Sequence, residues 1–225
     1  MDGGGFSHFP GEALDFLTAL RANNDRDWFA ENKAVYERAV KAPAEDFCRA
    51  VTGRLEEMTG LPHRPKIFRI HRDVRFSRDK TPYNAHLHIS FTAETGSTSQ
   101  PGWYFGLEPE RLTAGTGVFE LHKGDLDAFR ARVAGKDGER LARLIGNLPA
   151  DVRVSKPELK RVPQPYAADH PRADLLRRKS LTGWMDFANP REACENGFMD
   201  RCFDAFVRLR PLFDWLSAAA RQPGR

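Results

Sequence analysis

Cysteine is scarce in this chain. Cys48, Cys194 and Cys202 are the only three in 225 residues, and no two of them have C-x-x-C spacing. That excludes a disulfide framework, a thiolate metal cage and a thioredoxin-type pair, and it leaves an odd thiol whichever two join. A reducing compartment is expected. Long apolar runs are also missing: no window approaches the roughly 18 uninterrupted apolar residues of a membrane span. The opening M-D-G-G-G-F-S-H carries no basic region followed by an apolar stretch, so a cytoplasmic protein without a membrane partner is expected. Charge of one sign is lacking overall, with a formal net of +4, too small by itself to announce nucleic acid. No G-x-S-x-G elbow occurs, and A-G-T-G at 114 to 117 has no third glycine and precedes no helix. No cofactor is expected.

Against those absences, residues 66 to 83, K-I-F-R-I-H-R-D-V-R-F-S-R-D-K-T-P-Y, stand out. Six basic side chains (Lys66, Arg69, Arg72, Arg75, Arg78, Lys80) face two acids (Asp73, Asp79), so this stretch alone carries a net charge equal to that of the whole chain. Desolvating an ion costs several kcal/mol unless it is paired, and the stretch therefore reads as a site for an anion. Its alternation predicts a strand over 67 to 77, with Phe68, Ile70, Val74 and Phe76 on one face and Arg69, His71, Asp73 and Arg75 on the other. Arg72 breaks the apolar row and marks a bulge, a strand break or a paired buried ion.

Periodicity places helices on both sides. Leu14, Leu17 and Leu20 define one over 11 to 23. Asn24 is the expected cap of the next, which carries Trp28, Phe29, Val35 and Tyr36, and Pro43 closes it and can open a third that ends at Gly60. A-H-L-H-I-S-F-T, W-Y-F-G-L-E-P and L-T-A-G-T-G-V-F-E-L read as further strands joined by short connections. Helical patterns return around Leu126, Phe129 and Val133, around Leu141, Leu144 and Ile145, and around Leu175 and Leu176. In the last helix Pro211 must force a kink or a restart. The expected fold is α+β: a central antiparallel sheet of about four strands flanked by N-terminal and C-terminal helices. One domain over 11–220 is expected, between flexible ends at 1–10 and 221–225.

Three motifs, N-N-D-R-D-W-F-A-E-N-K at 23 to 33, R-I-H-R-D-V-R-F-S-R-D-K-T-P-Y at 69 to 83, and L-K-R-V-P with D-H-P-R-A-D-L-L-R-R-K over 159 to 179, give the chain a resemblance to a large bacterial and fungal family catalogued as domain of unknown function 2461. The resemblance spans nearly the entire chain and implies no activity. It implies that Asn24, Arg26, Trp28, Asn32 and Lys33 belong with Arg69, Arg72, Asp73, Arg75, Asp79, Lys80 and Tyr83, and with Lys160, Arg161, His170 and Lys179. The family pattern does not require His71, His86 and His88, which counts against a metal site built on them.

The resulting expectation is a basic pocket for a small anionic, phosphorylated ligand. Arg69, Arg72, Arg75, Lys80, Tyr83, Lys160, Arg161 and Lys179 would contact the anion. Asn24, Arg26, Trp28, Asn32, Lys33, Asp79 and His170 would support them. Asp73 is the candidate general base if a reaction follows, although cations beside it lower its affinity for protons. The alternatives are a nucleic-acid-binding module using the same face and an ion-pair network with no ligand. No metal is expected, and the oligomeric state is left open.

Overall fold

The computed structural model describes residues 5–220; of the flexible ends expected at 1–10 and 221–225, residues 1–4 and 221–225 lie outside them. The chain runs through α1 (Gly11–Ala22), α2 (Arg26–Val35), a π-helical turn (Tyr36–Lys41) and α3 (Ala42–Thr59). It then forms β1 (His63–Ile67), β2 (Leu87–Ala93), β3 (Gly102–Glu108) and β4 (Arg111–Val118). Next come α4 (Lys123–Ala134), α5 (Lys136–Gly146), β5 (Val152–Val154), α6 (Ala173–Leu176), β6 (Leu181–Asp186), a 3-10 turn (Pro190–Cys194) and α7 (Phe198–Ala220). The architecture is α+β with a six-stranded antiparallel sheet in the order β1-β2-β3-β4-β6-β5. Three of these strands, β2, β3 and β4, stand where the expected meander puts them, and β1 ends where its expected first strand begins. The other two arise where no strand is expected: β5 is three residues long, too short to show a period, and Gly183 interrupts the alternation of β6. Val152 pairs with Met185 and Val154 with Gly183.

The described residues form two compact units. One comprises the chain up to Phe91, Tyr104–Ala114 and Asp186–Asp204; the other comprises Thr92–Trp103, Gly115–Met185 and the chain from Ala205 on.

In the first unit, α1 buries the stripe Ala13, Leu14, Phe16, Leu17 and Leu20. The cap of α2 is Asp25 rather than the expected Asn24: its carboxylate accepts the Trp28 N–H at 2.8 Å. An acceptor-only group suits the positive end of a helix, while Asn24, which can donate as well as accept, is used elsewhere. The helix does not close at Pro43. It passes through the π-helical turn, where the Ala42 N–H bonds to the Glu37 carbonyl five residues back, and Pro43 sits in the first turn of α3, directly after that change in hydrogen-bond pattern. Gly60, at φ 67°, ends α3 as expected. Residues 5–10 are not a loose end: Phe9 is fully buried, its ring 5.7 Å from Phe105 and 5.4 Å from Phe47, and its N–H bonds to the Ala193 carbonyl.

The strand expected over 67–77 is overturned. β1 stops at Ile67, and beyond the Phe68 N–H, which still reaches the His88 carbonyl, the backbone pairs only around an isolated bridge between His71 and Tyr83. Pro82 faces this stretch and has no N–H to give to a ladder, and the charged side chains bond among themselves instead. Of the expected apolar row, Ile70 is buried but Phe68 and Phe76 are exposed.

In the second unit, Val118, Leu121, Phe129, Val133, Leu141, Leu175, Leu176, Leu181, Leu212 and Trp215 form the core. Trp103 stacks on Phe213 at 4.6 Å. The two glycines dismissed as a nucleotide fingerprint are packing residues: a Cβ on Gly115 would lie 2.5 Å from the Trp184 ring, and one on Gly117 would lie 2.1 Å from the Leu181 carbonyl oxygen. α7 contains Pro211 and is one helix, not two.

Candidate anion-binding site

The site is built on the loop between β1 and β2, and α2 holds that loop in place. Asn24 closes two hydrogen bonds on the main chain of Tyr83: its Nδ2 donates to the carbonyl at 2.9 Å and its Oδ1 accepts the N–H at 3.0 Å. The Tyr83 ring, 7% exposed, stacks on Phe29 of α2 at 4.2 Å. Tyr83 is therefore a core anchor and not the ligand contact expected. His71 packs edge-on to the same Phe29 at 5.9 Å. Asn84 then ties the base of the loop, with its N–H on the Ile70 carbonyl and its Nδ2 on the Arg69 carbonyl.

The tip of the loop is closed by its own ions. Arg72 donates through Nη1 to Asp79 at 2.6 Å and to the carbonyl and hydroxyl of Thr81, while the other Asp79 oxygen accepts the Thr81 N–H at 2.9 Å. These bonds, the Thr81 main-chain bond first and Arg72 second, bring the Asp79 carboxyl down to about 2. Arg75 forks onto Asp73, Nε to Oδ1 at 3.0 Å and Nη2 to Oδ2 at 2.7 Å, and holds that carboxyl below the usual range. Lys80 donates to the Val74 carbonyl at 3.0 Å.

Beneath the tip lies a hollow of about 350 Å³ lined by Phe68, Arg69, His71, Arg72, Asp73, Asn84, His86 and His88. Arg69 has no hydrogen-bond or ion-pair partner for its guanidinium among the described residues, although its charge acts on Asp73. His86 and His88 stack ring on ring at 3.8 Å, and His88 Nε2 lies 3.1 Å from Glu108. Burial, and then the neighbouring His88, push His86 down to about 4, so it is neutral at neutral pH. Among the described residues, no group of three or more His, Cys, Asp or Glu could hold a metal ion.

Arg69, Arg72 and Asp73 are thus brought together on one hollow. Arg75 and Lys80 sit on the same loop but already have partners. Asn32, expected in a supporting role, donates its Nδ2 to the Trp28 carbonyl within α2. Arg26 and Lys33 are exposed on that helix, and Trp28 packs on Phe16 at 5.7 Å. Lys160, Arg161, His170 and Lys179 belong to the second unit. There the Lys179 N–H bonds to Glu158 at 2.8 Å, the Lys160 carbonyl accepts from Arg177, and His170 Nδ1 accepts the Arg172 N–H.

Sequence reasoning passed over Asn84 and Arg178. Asn84 carried a signal in its position between Tyr83 and the next strand. Arg178, 7% exposed and bonded to the Ser155 carbonyl, is a buried structural cation that looks like any other member of R-R-K. The three cysteines are free, and burial pushes the Cys48 thiol up to about 12 and raises Cys194 and Cys202 as well, so none is a ready nucleophile.

What the hollow can do chemically is present guanidinium donors where both nearby carboxylates, Asp73 and Asp79, are already engaged. No curated protein matches the chain. A family model described as Conserved hypothetical protein (DUF2461) matches residues 12–215, nearly the whole chain, and the protein belongs to that family.

Proposed function

We propose that the hollow bounded by Arg69, Arg72 and Asn84 takes a small anionic, phosphate-bearing ligand. The observation that carries this reading is Arg69, whose guanidinium lines the hollow with no partner among the described residues. A planar fork of donors matches phosphate oxygens in pairs. Arg72 supports it, since only its Nη1 is engaged by Asp79 and Thr81. The proposed site is drawn from the first unit alone. Asp73 serves it by fixing Arg75; a carboxylate held below its usual range is a weak base, so no reaction is assigned. Three free thiols support a reducing, cytoplasmic setting.

The test is a thermal melt of the full chain against inorganic phosphate and sugar phosphates, because a ligand specific to the folded state raises stability by mass action. A shift is expected for the wild type and none for Arg69→Ala. No shift with any anion would reject the reading.

A second reading, single-stranded nucleic acid on the same loop, is favoured by Phe76, which is 96% exposed between Arg75 and Arg78. It calls for affinity that falls steeply with salt, whereas the small-anion reading calls for a modest response. The ion-pair network reading suits Arg75, forked on Asp73, and leaves Arg69 without a role.

A further inference from the structure

We infer that the phosphate-bearing ligand of this hollow is a nucleoside monophosphate, with a planar base laid against Phe68 and the imidazole wall; this rests on the anion reading of the same hollow. A bare phosphate would use Arg69 and Arg72 and leave the rest of the lining idle. Apart from Asp73 and Asn84, that lining is aromatic. Phe68 is 46% exposed, a large apolar ring on the wall of a concavity. Beside it stand His71 and the stacked pair His86 and His88. Phe68, over whose ring the Lys66 ammonium lies at 5.0 Å, and three imidazoles line one hollow, and aromatic rings are surfaces on which a base can stack.

The polar groups fit the edge of a base as well. A neutral imidazole presents one donor and one acceptor nitrogen, the pairing that nucleobase edges require. Asn84 commits its amide nitrogen to the Arg69 carbonyl at 3.1 Å, and its Oδ1 is an acceptor on the same wall. The volume, about 350 Å³, falls within the roughly 300 to 1,000 Å³ of small-molecule sites. Arginine for the phosphate, rings for the base and an amide for its edge lie within one loop and the start of β2.

Calorimetric titration of the full chain with inorganic phosphate, ribose 5-phosphate, the four common 5′-mononucleotides and a short single-stranded oligonucleotide tests this. At least one mononucleotide is expected to bind roughly 5- to 150-fold more tightly than ribose 5-phosphate, the gain that stacking of one base supplies. Phe68→Ala should weaken that nucleotide towards the ribose 5-phosphate level, with phosphate titrated alongside to report the anion subsite separately, and Phe68→Tyr should restore it. Melting without ligand checks that the partly exposed Phe68 can be truncated without loss of fold. Equal affinity for ribose 5-phosphate and all mononucleotides, or an unchanged nucleotide affinity in Phe68→Ala, would overturn the inference while the anion reading stood. An oligonucleotide binding far more tightly than any mononucleotide would also overturn it, in favour of a nucleic-acid surface. Absence of binding by every phosphate compound would remove both.

Discussion

The side-chain amide of Asn24 pairs with the main chain of Tyr83 as one strand pairs with another, donating to the carbonyl and accepting from the N–H across 59 residues of sequence. This contact, made just ahead of α2, and the stacking of Phe29 of α2 on Tyr83 hold the cationic loop. Asn24→Ala removes both bonds and leaves a half-buried N–H and carbonyl unpaired, so a loss of about 1–3 kcal/mol is expected. Asn24→Asp, which keeps the acceptor but loses the donor, should fall between. Urea unfolding, with the slope unchanged, measures both.

Arg69 and Arg72 should separate cleanly. Arg69→Ala removes a guanidinium with no hydrogen-bond or ion-pair partner among the described residues and is expected to leave the unliganded melting temperature nearly unchanged, whereas Arg72→Ala opens the Asp79 and Thr81 knot and lowers it. Equal losses in the two variants would mean that Arg69 also has a structural task.

Acid should act on the loop through Asp79. Its carboxyl lies near 2 in the folded chain against an ordinary value of 3.8, so the unfolded chain binds the proton more readily. The stabilisation is present above about pH 4 and is lost as pH falls towards 2. Asp79→Asn should flatten that part of the stability profile, which denaturation at stepped pH would record.

His86 acts at higher pH. Folding lowers it from 6.5 to about 4, so between those values the unfolded chain is protonated and the folded chain is not. Stability is therefore full above about pH 6.5 and declines as pH drops towards 4. His86→Gln is expected to weaken this slope; an identical slope in the variant would place its origin in another group.

Two glycines should respond in opposite directions to alanine. Gly117 has φ 139°, and its new Cβ would meet the Leu181 carbonyl oxygen at 2.1 Å, so Gly117→Ala should cost at least about 1–3 kcal/mol. Gly53, exposed inside α3 with nothing within 4 Å, should gain about 0.4–1 kcal/mol. Thermal melts of the pair supply the comparison.

Much of this molecule could be read in advance. The apolar stripes of α1, α3 and α4, the Gly60 stop and the alternation of Leu87, Ile89 and Phe91 in β2 are local patterns, and each dictates which face is buried wherever the segment lies. The motifs that carried the family resemblance were equally plain. The strand over 67–77 failed because alternation there came from Phe68 and Phe76, which the folded chain leaves exposed, and because Pro82 and the loop ions deny that stretch a ladder. The cap of α2 shifted from Asn24 to Asp25 because a distant backbone needed an amide that both donates and accepts.

The run of cations was visible from the residue order alone, and so was its demand for negative charge. Which of those cations remain open to a ligand was not, because pairing is a matter of distance through space: Arg75 is taken by Asp73, Lys80 by a carbonyl and Arg72 in part by Asp79, while Arg69 is left at the hollow. Tyr83 carries a polar atom that suits a ligand, but its ring is buried against Phe29, and Asn32 commits its amide nitrogen to the preceding helical turn. Residue type sets what a side chain is able to bind, and the neighbours that folding brings within about 3 Å determine whether that capacity is still unspent.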